Sequence, residues 1–520
     1  MRKSFLLIYF FSFLCSANNI QINNVAVGGQ NLALKYTLVQ FDISWENSWR
    51  TSTYESNWDA AWVFVKYRKK WDTQWFHAYL HNSGHNAPSG CTITPGLVNT
   101  SAAFDSINNP AVGVFIYRSS NGIGNISFNG VQLRWNYGVN GLADYDSVEV
   151  CVYAIEMVYI PQGSFFVGDN DIFNSSTSSG RFRRGDVDLP FEITSEAAIS
   201  IGNTSSTQLW GTSTSGTNTI GGSGTLAASF PKGYGAFYIM KYELSQYMYK
   251  EFLNKLTRTQ QANRSPVTIV GNYHCGGGGG CATIQNRNGI RLMSDPGGTL
   301  PRVFGNDFNG NNTEGEAGDG LHIACNWVSA DDIRAFADWS GLRPYTELEY
   351  EKVCRGPLMV VSNERPWATT NQTFATGIVN PGQDNEIASP SSANLVYNNH
   401  ASVQGPLRCG NFARASSNRE EAGAAYYGAL DMVGNLIECI ASVGVTAHRS
   451  FQGNIHGNGV LNTSGNTDIT VWPSSFGLRG GSWSTTASLP HTSDRNFASF
   501  EITGNTKYNY ASIRLARTQP

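Results

Sequence analysis

Charge is scarce in this 520-residue chain: Asp, Glu, Lys and Arg together make up 14%, against about 25% in an ordinary soluble protein. The formal net charge is -3, so no basic surplus exists to draw nucleic acid or an anionic membrane as partner. Beyond the N-terminus no run of about 18 apolar residues occurs, and with it goes any ordinary transmembrane segment. No cysteine follows Cys439. His-Glu-x-x-His, a serine elbow and a phosphate-cradling loop are also missing; the five-glycine run lacks the Lys-Ser/Thr that a phosphate loop needs.

Gly, Asn, Ser and Thr fill the gap, as in a loop-rich, β-rich extracellular protein. Arg2 and Lys3 precede the apolar run Phe5–Leu14 and the small-residue end Ser16-Ala17. This is the layout of a secretory signal, residues 1–17, cleaved before Asn18. Phe13-Leu14 lacks the small residues expected ahead of a lipidated Cys15. The expected location is secreted, at the cell surface or in the periplasm. Without Cys15, the nine cysteines become an even set in an oxidising compartment. Cys275 and Cys281 bracket five glycines in "HCGGGGGC", and a small disulfide-closed loop fits this spacing better than a zinc site with His274.

Residues 18–155 carry strand-like runs such as "AAWVFVKYR", "AVGVFIYR" and "SVEVCVYAI", separated by turn clusters, and predict an antiparallel β-sandwich. Trp45, Trp49, Trp58, Trp62, Trp71 and Trp75 crowd its first half; packing explains them better than a sugar-stacking platform. A second unit, residues 156–517, opens with "MVYIPQGSFFVGD" and turns Ser/Thr/Gly-rich from Asn170 to Ser229. Leu244, Tyr247, Met248, Phe252 and Leu256 then follow helical spacing. Ser329 with Asp332 and Thr346 with Glu349 open two more helices, stopped at Gly341 and Gly356. Few helices among many loops predict an α+β fold.

Six segments of this second unit, in this order, resemble the formylglycine-generating enzymes, also called sulfatase-modifying factors. They are "MVYIPQGSFFVG", "FYIMKYELSQYMYKEFLN", "CNWVSADDIRAFADWSGLRPYTELEYEKVCRG", "YYGALDMVGNLIE", "RGGSW" and "SIRLAR". The resemblance implies that family's variant of the C-type lectin-like fold, preceded by the all-β sandwich. Family enzymes oxidise a sulfatase cysteine with oxygen and copper held by two thiols, since soft copper(I) prefers thiolate. Ser482 and Trp483 match the family's groove turn, but an ungapped carry-over places Thr485 and Pro490 at the thiol positions. Ile437 stands where the family has a groove tryptophan, and Cys439 is better placed as a buried hydrophobe than as a relocated ligand. The resemblance also implies a structural calcium ion on the side chains of Asp431 and Glu438 with the carbonyls of Gly434 and Leu436. The alternative is that Glu438 pairs with a buried arginine or backbone amides.

Copper is therefore not expected, and the anticipated function is a secreted, non-catalytic relative that binds an extracellular ligand or surface partner. Ser484–Ser512 mixes Ser, Thr, Asn and Tyr as adaptable binding surfaces do, which makes His491, Asp494, Arg495, Asn505, Tyr508 and Tyr510 candidate ligand contacts. "HTSDR" sets His, Ser and Asp side by side, but adjacency in sequence is not triad geometry. The alternatives are an active copper-dependent oxidase and a structural component of a surface assembly.

Overall fold

The computed structural model describes residues 19–170, 180–212, 220, 222–486 and 490–520; the signal segment 1–17 lies outside them. The N-terminal region supplies β1 (Gln21–Asn31), β2 (Tyr36–Arg50), β3 (Asp59–Lys69), β4 (Phe76–His77), β5 (Cys91–Leu97), β6 (Ala111–Arg118), β7 (Gly122–Trp135) and β8 (Val148–Ile160). A three-stranded sheet, β1-β2-β7, faces a larger one ordered Ala516–Thr518, Phe237–Met240, β8, β3, β6, β5, with β4 on β3. Every pair in both is antiparallel.

The larger sheet belongs to both units. The expected boundary at Glu156 falls inside β8, whose start pairs only with β3 and whose end also pairs with Phe237–Met240. The region before it is a sandwich of two facing antiparallel sheets, the larger of which is completed by strands of the second unit. β3 explains why: Asp59–Tyr67 is buried without a break. Side chains alternate across a strand, so Ala61, Val63 and Val65 enter the core beneath β1, β2 and β7, while Ala60, Trp62 and Phe64 enter the core around Trp339. Trp45 and Trp62 are packed inside, and Trp58 stacks on Tyr159 with centroids 3.8 Å apart. Trp71, by contrast, is 89% exposed.

Among the described residues four α-helices follow: α1 (Gln246–Asn254), α2 (Arg258–Arg264), α3 (Ala330–Ser340) and α4 (Glu347–Arg355). Ser329 with Asp332 and Thr346 with Glu349 form complete capping boxes, and Gly341 closes α3 in the left-handed conformation at φ 75°. α4 brings two carboxylates, Glu347 and Glu351, into the interior beside the strand Ser475–Arg479. That strand delivers the chain to the turn at Ser482. Among the described residues no helix is long and apolar enough to cross a membrane.

Candidate functional site

Gly480 and Gly481 make the turn, at φ 78° and 68°. A Cβ on Gly480 would sit 2.5 Å from the Met432 carbonyl oxygen, and one on Gly481 2.5 Å from the Tyr397 ring, so the chain can pass only as glycine. Ser482 follows, and its N–H donates to Thr485 Oγ1 at 2.9 Å. Ser482 Oγ lies 3.2 Å from both Ser484 Oγ and Thr485 Oγ1. Trp483 is buried and anchored, its main-chain N–H on the Asn435 carbonyl at 2.8 Å and its indole N–H on the Asn509 carbonyl at 3.1 Å. Pro490 is buried on the far side of residues 487–489, which lie outside the described residues. The turn thus gathers hydroxyls that satisfy one another.

The thiols are elsewhere. Cys275 and Cys281 are joined in a disulfide. Cys91, Cys325, Cys354, Cys409 and Cys439 are buried, and Cys151 is half-buried. Cys439 sits on the strand Glu438–Ile440 opposite Leu478, and burial, then Glu438, push its thiol above the ordinary range. Cys409 is held up likewise by burial and by Glu243, with its Sγ on the Glu243 carbonyl at 3.3 Å. A soft metal needs thiolate, which these surroundings oppose.

Three of the six expected ligand contacts are interior. Arg495 is fully buried, with Nε on Glu347 Oε1 at 2.6 Å and its guanidinium 4.2 Å from the Phe182 centroid. His491 and Asp494 are buried beside it in the chain. The surface assignment of Arg495 is corrected by the charge on α4, and those of His491 and Asp494 by their burial. Glu347 and Glu351 draw Arg479 between them at 2.8 Å each, and Arg495 completes the balance on Glu347. "HTSDR" forms no triad, because Ser493 Oγ donates to Asp169 at 2.7 Å. Asn505 is exposed, and the half-buried Tyr508 and Tyr510 hold their rings 5.3 Å apart. Trp327 pairs with Tyr508 through its backbone, and the disulfide loop packs on the Trp327 ring at Gly276.

Residues 148–519 match the family described as the sulfatase-modifying factor enzyme 1-like domain. The chain belongs to this family. Among solved structures, Treponema denticola variable protein 1 is similar at 14% identity, over 71% of this chain and 96% of that one, with a TM-score of 0.28. Among curated proteins none matches.

The calcium set implied for this sulfatase-modifying-factor-like domain can be tested on its own oxygens. Glu438 Oε1 accepts from Arg514 Nε at 2.7 Å, and Oε2 accepts from Tyr345 Oη–H at 2.6 Å. Asp431 accepts the Gly410 N–H at 2.7 Å. A guanidinium already neutralises Glu438, bound further to the carbonyls of Met240 and Leu430. An ion here would have to displace Arg514 or Tyr345. Among the described residues no three His, Cys, Asp or Glu side chains gather as a metal site. As arranged, the alternative pairing of Glu438 with a buried arginine is the one present. Glu243, not anticipated from the sequence, holds the loop instead: it accepts the Leu436 N–H at 2.8 Å and the Asn435 amide. Its place in "KYELSQ", beside a helix start, gave no sign of a partner 193 residues away.

One Ser–His pair lies nearby. His448 Nε2 and Ser475 Oγ are 3.0 Å apart. His448 Nδ1, however, accepts the Ser442 N–H at 3.0 Å, so the ring proton is on Nε2 and the imidazole cannot take one from Ser475. The pair is structural.

Proposed function

We propose that this protein is a secreted, non-catalytic member of the family that binds an extracellular ligand through the surface bearing Asn505, Tyr508 and Tyr510. One observation supports this above others: the turn after Gly481 gathers Ser482, Ser484 and Thr485 hydroxyls, with no sulfur among them. Hydroxyls are poor ligands for copper(I), so oxygen chemistry has no foothold there. The tyrosine pair offers a stiff, amphipathic contact surface. Around it the disulfide-closed glycine loop and the Ser484–Thr485 turn supply adaptable polar contacts.

The test is to incubate the full chain with copper(I), oxygen and a sulfatase-type cysteine peptide, and to follow the peptide's mass. No change is expected. Loss of sulfur with gain of an aldehyde would overturn the reading. For the binding half, Tyr508→Ala with Tyr510→Ala should abolish retention on an immobilised ligand without lowering Tm by more than a few degrees; unchanged retention would move the ligand elsewhere.

A further inference from the structure

A cavity of about 430 Å³ opens between the N-terminal strands and α1, far from the Ser482 turn. Its size falls in the roughly 300–1,000 Å³ range of ligand pockets. One wall is the edge of β8. That strand pairs with β3 from Val148 to Val158, but with Phe237–Met240 only from Met157 to Ile160.

Three bonds fix where its backbone points: Lys70 N–H to Ser147 C=O, Tyr159 N–H to Trp58 C=O and Lys241 N–H to Glu156 C=O, each 2.9 Å. Alternate residues of an antiparallel strand bond to opposite neighbours. Odd-numbered residues of β8 therefore serve β3. Val148, Val150, Val152 and Ala154 turn their N–H and C=O groups towards the edge that Phe237–Met240 leaves bare. No hydrogen bond reaches those groups among the described residues. Val148, Val150 and Val152 line the cavity.

The other walls offer side chains, not a ladder. β1 stands opposite with Ile22, Val25 and Val27, its register broken after Asn23 and after Gly28. Tyr247 and Glu251 of α1, with Lys255 just past its end, close the far side with Trp75. Most of the charges present are already paired: Arg68 with Glu149 at 2.6 Å, Lys255 with Glu251 at 3.8 Å, Asp144 with Lys35 at 2.7 Å and Asp146 with Lys69 at 2.9 Å.

We propose that this cavity receives an extended peptide segment of a partner protein, added to β8 as a strand in line with Phe237–Met240. An incoming main chain is the ligand that satisfies such a row of donors and acceptors together. One set of its side chains meets Ile22, Val25 and Val27, so those residues are apolar. The other set meets Trp75 and the closed ion pairs, so those are uncharged and polar.

The test uses the full chain and a fluorescein-labelled Thr-Val-Thr-Val-Thr-Val peptide read by anisotropy. Two versions are N-methylated, each on one alternate set of residues. The parent peptide should bind and slow alkylation of Cys151, the half-buried thiol on the cavity wall. One methylated version should bind about tenfold or more weakly. Val150→Pro deletes a donor on the bare edge and leaves the β3 ladder intact; it should weaken the parent peptide by a similar factor. Absence of peptide binding, equal binding of all three peptides, or full binding to Val150→Pro would overturn the proposal. So would saturable binding of N-phenyl-1-naphthylamine alone, which would make the cavity a site for apolar small molecules. Should Val150→Pro fail to fold, the three peptides decide the matter on the unaltered protein.

Discussion

Removing the Glu347 carboxylate strands the Arg495 guanidinium and leaves Arg479 to Glu351 alone, and that fixes the sign of its effect. Burial works against this carboxylate, yet Arg495 and Arg479 outweigh it and hold it below the usual carboxylate range. Breaking a buried pair from one side costs about 3–5 kcal/mol, so Glu347→Gln should lower the urea-unfolding free energy by roughly that amount. A depressed folded pKa means the contribution is whole above the ordinary value of 4.5 and fades as pH falls through the folded one. Calcium gives the opposite expectation. With Glu438 closed by Arg514 and Tyr345, excess chelator should leave Tm unchanged; a fall of several degrees would restore an ion to the loop. Both sites mark the limit of legibility at this scale. "GNLIE" and "RGGSW" were recognisable as motifs, but Arg495 meets Glu347 148 residues away. Nothing in the polar surroundings of His491–Arg495 signals an interior charge.

β3 and the helices differ in how openly the sequence declares them. α3 and α4 have capping boxes made of residues three apart, so their starts were readable without tertiary knowledge. "AAWVFVKYR" is equally clear as a strand and forms one wall of the N-terminal sandwich, while its second face packs on the core around Trp339. Its lack of polar alternation is the sign of that second face, because a run apolar on both faces belongs between two layers. Trp62 joins those layers: its indole N–H donates to the Ser340 carbonyl at 2.7 Å, and Arg517 lies 4.3 Å from its ring. Trp62→Ala should cost about 3–5 kcal/mol by denaturant titration. Gly113→Ala should also destabilise, since its Cβ would fall 2.5 Å from the Trp62 ring and 2.7 Å from the Val63 carbonyl. A loss below about 0.5 kcal/mol in both variants would mean the layers are held elsewhere.

Over the whole molecule the shared sheet makes folding a single event, so calorimetry should show one transition, and a fragment beginning at Val148 should not fold because β8 would lose β3. The same junction predicts a pH response. His456 is fully buried there, its ring Nε2 accepting the Thr518 N–H at 3.0 Å and its main-chain N–H donating to the Val98 carbonyl at 2.8 Å. Burial first, then Arg517 and Arg343, drive its pKa well below 6.5. His77 is lowered by burial and Lys66. A proton on Nε2 would end the bond from Thr518 and add a cation beside two others. The unfolded chain therefore takes protons first, and stability is whole above pH 6.5 and falls below it, by about 1.4 kcal/mol per histidine per pH unit. Asp338, raised to about 7 by burial, and Glu156, raised likewise to about 7, act in the other direction, so the raw acid profile mixes signs. Comparing the protein with His456→Gln cancels them, since glutamine keeps an acceptor and cannot titrate. Between pH 7 and 5 the variant should gain roughly 2 kcal/mol relative to the parent. A constant difference across that range would show that His456 binds its proton equally well in the folded and unfolded chain, and that the junction tolerates the charge.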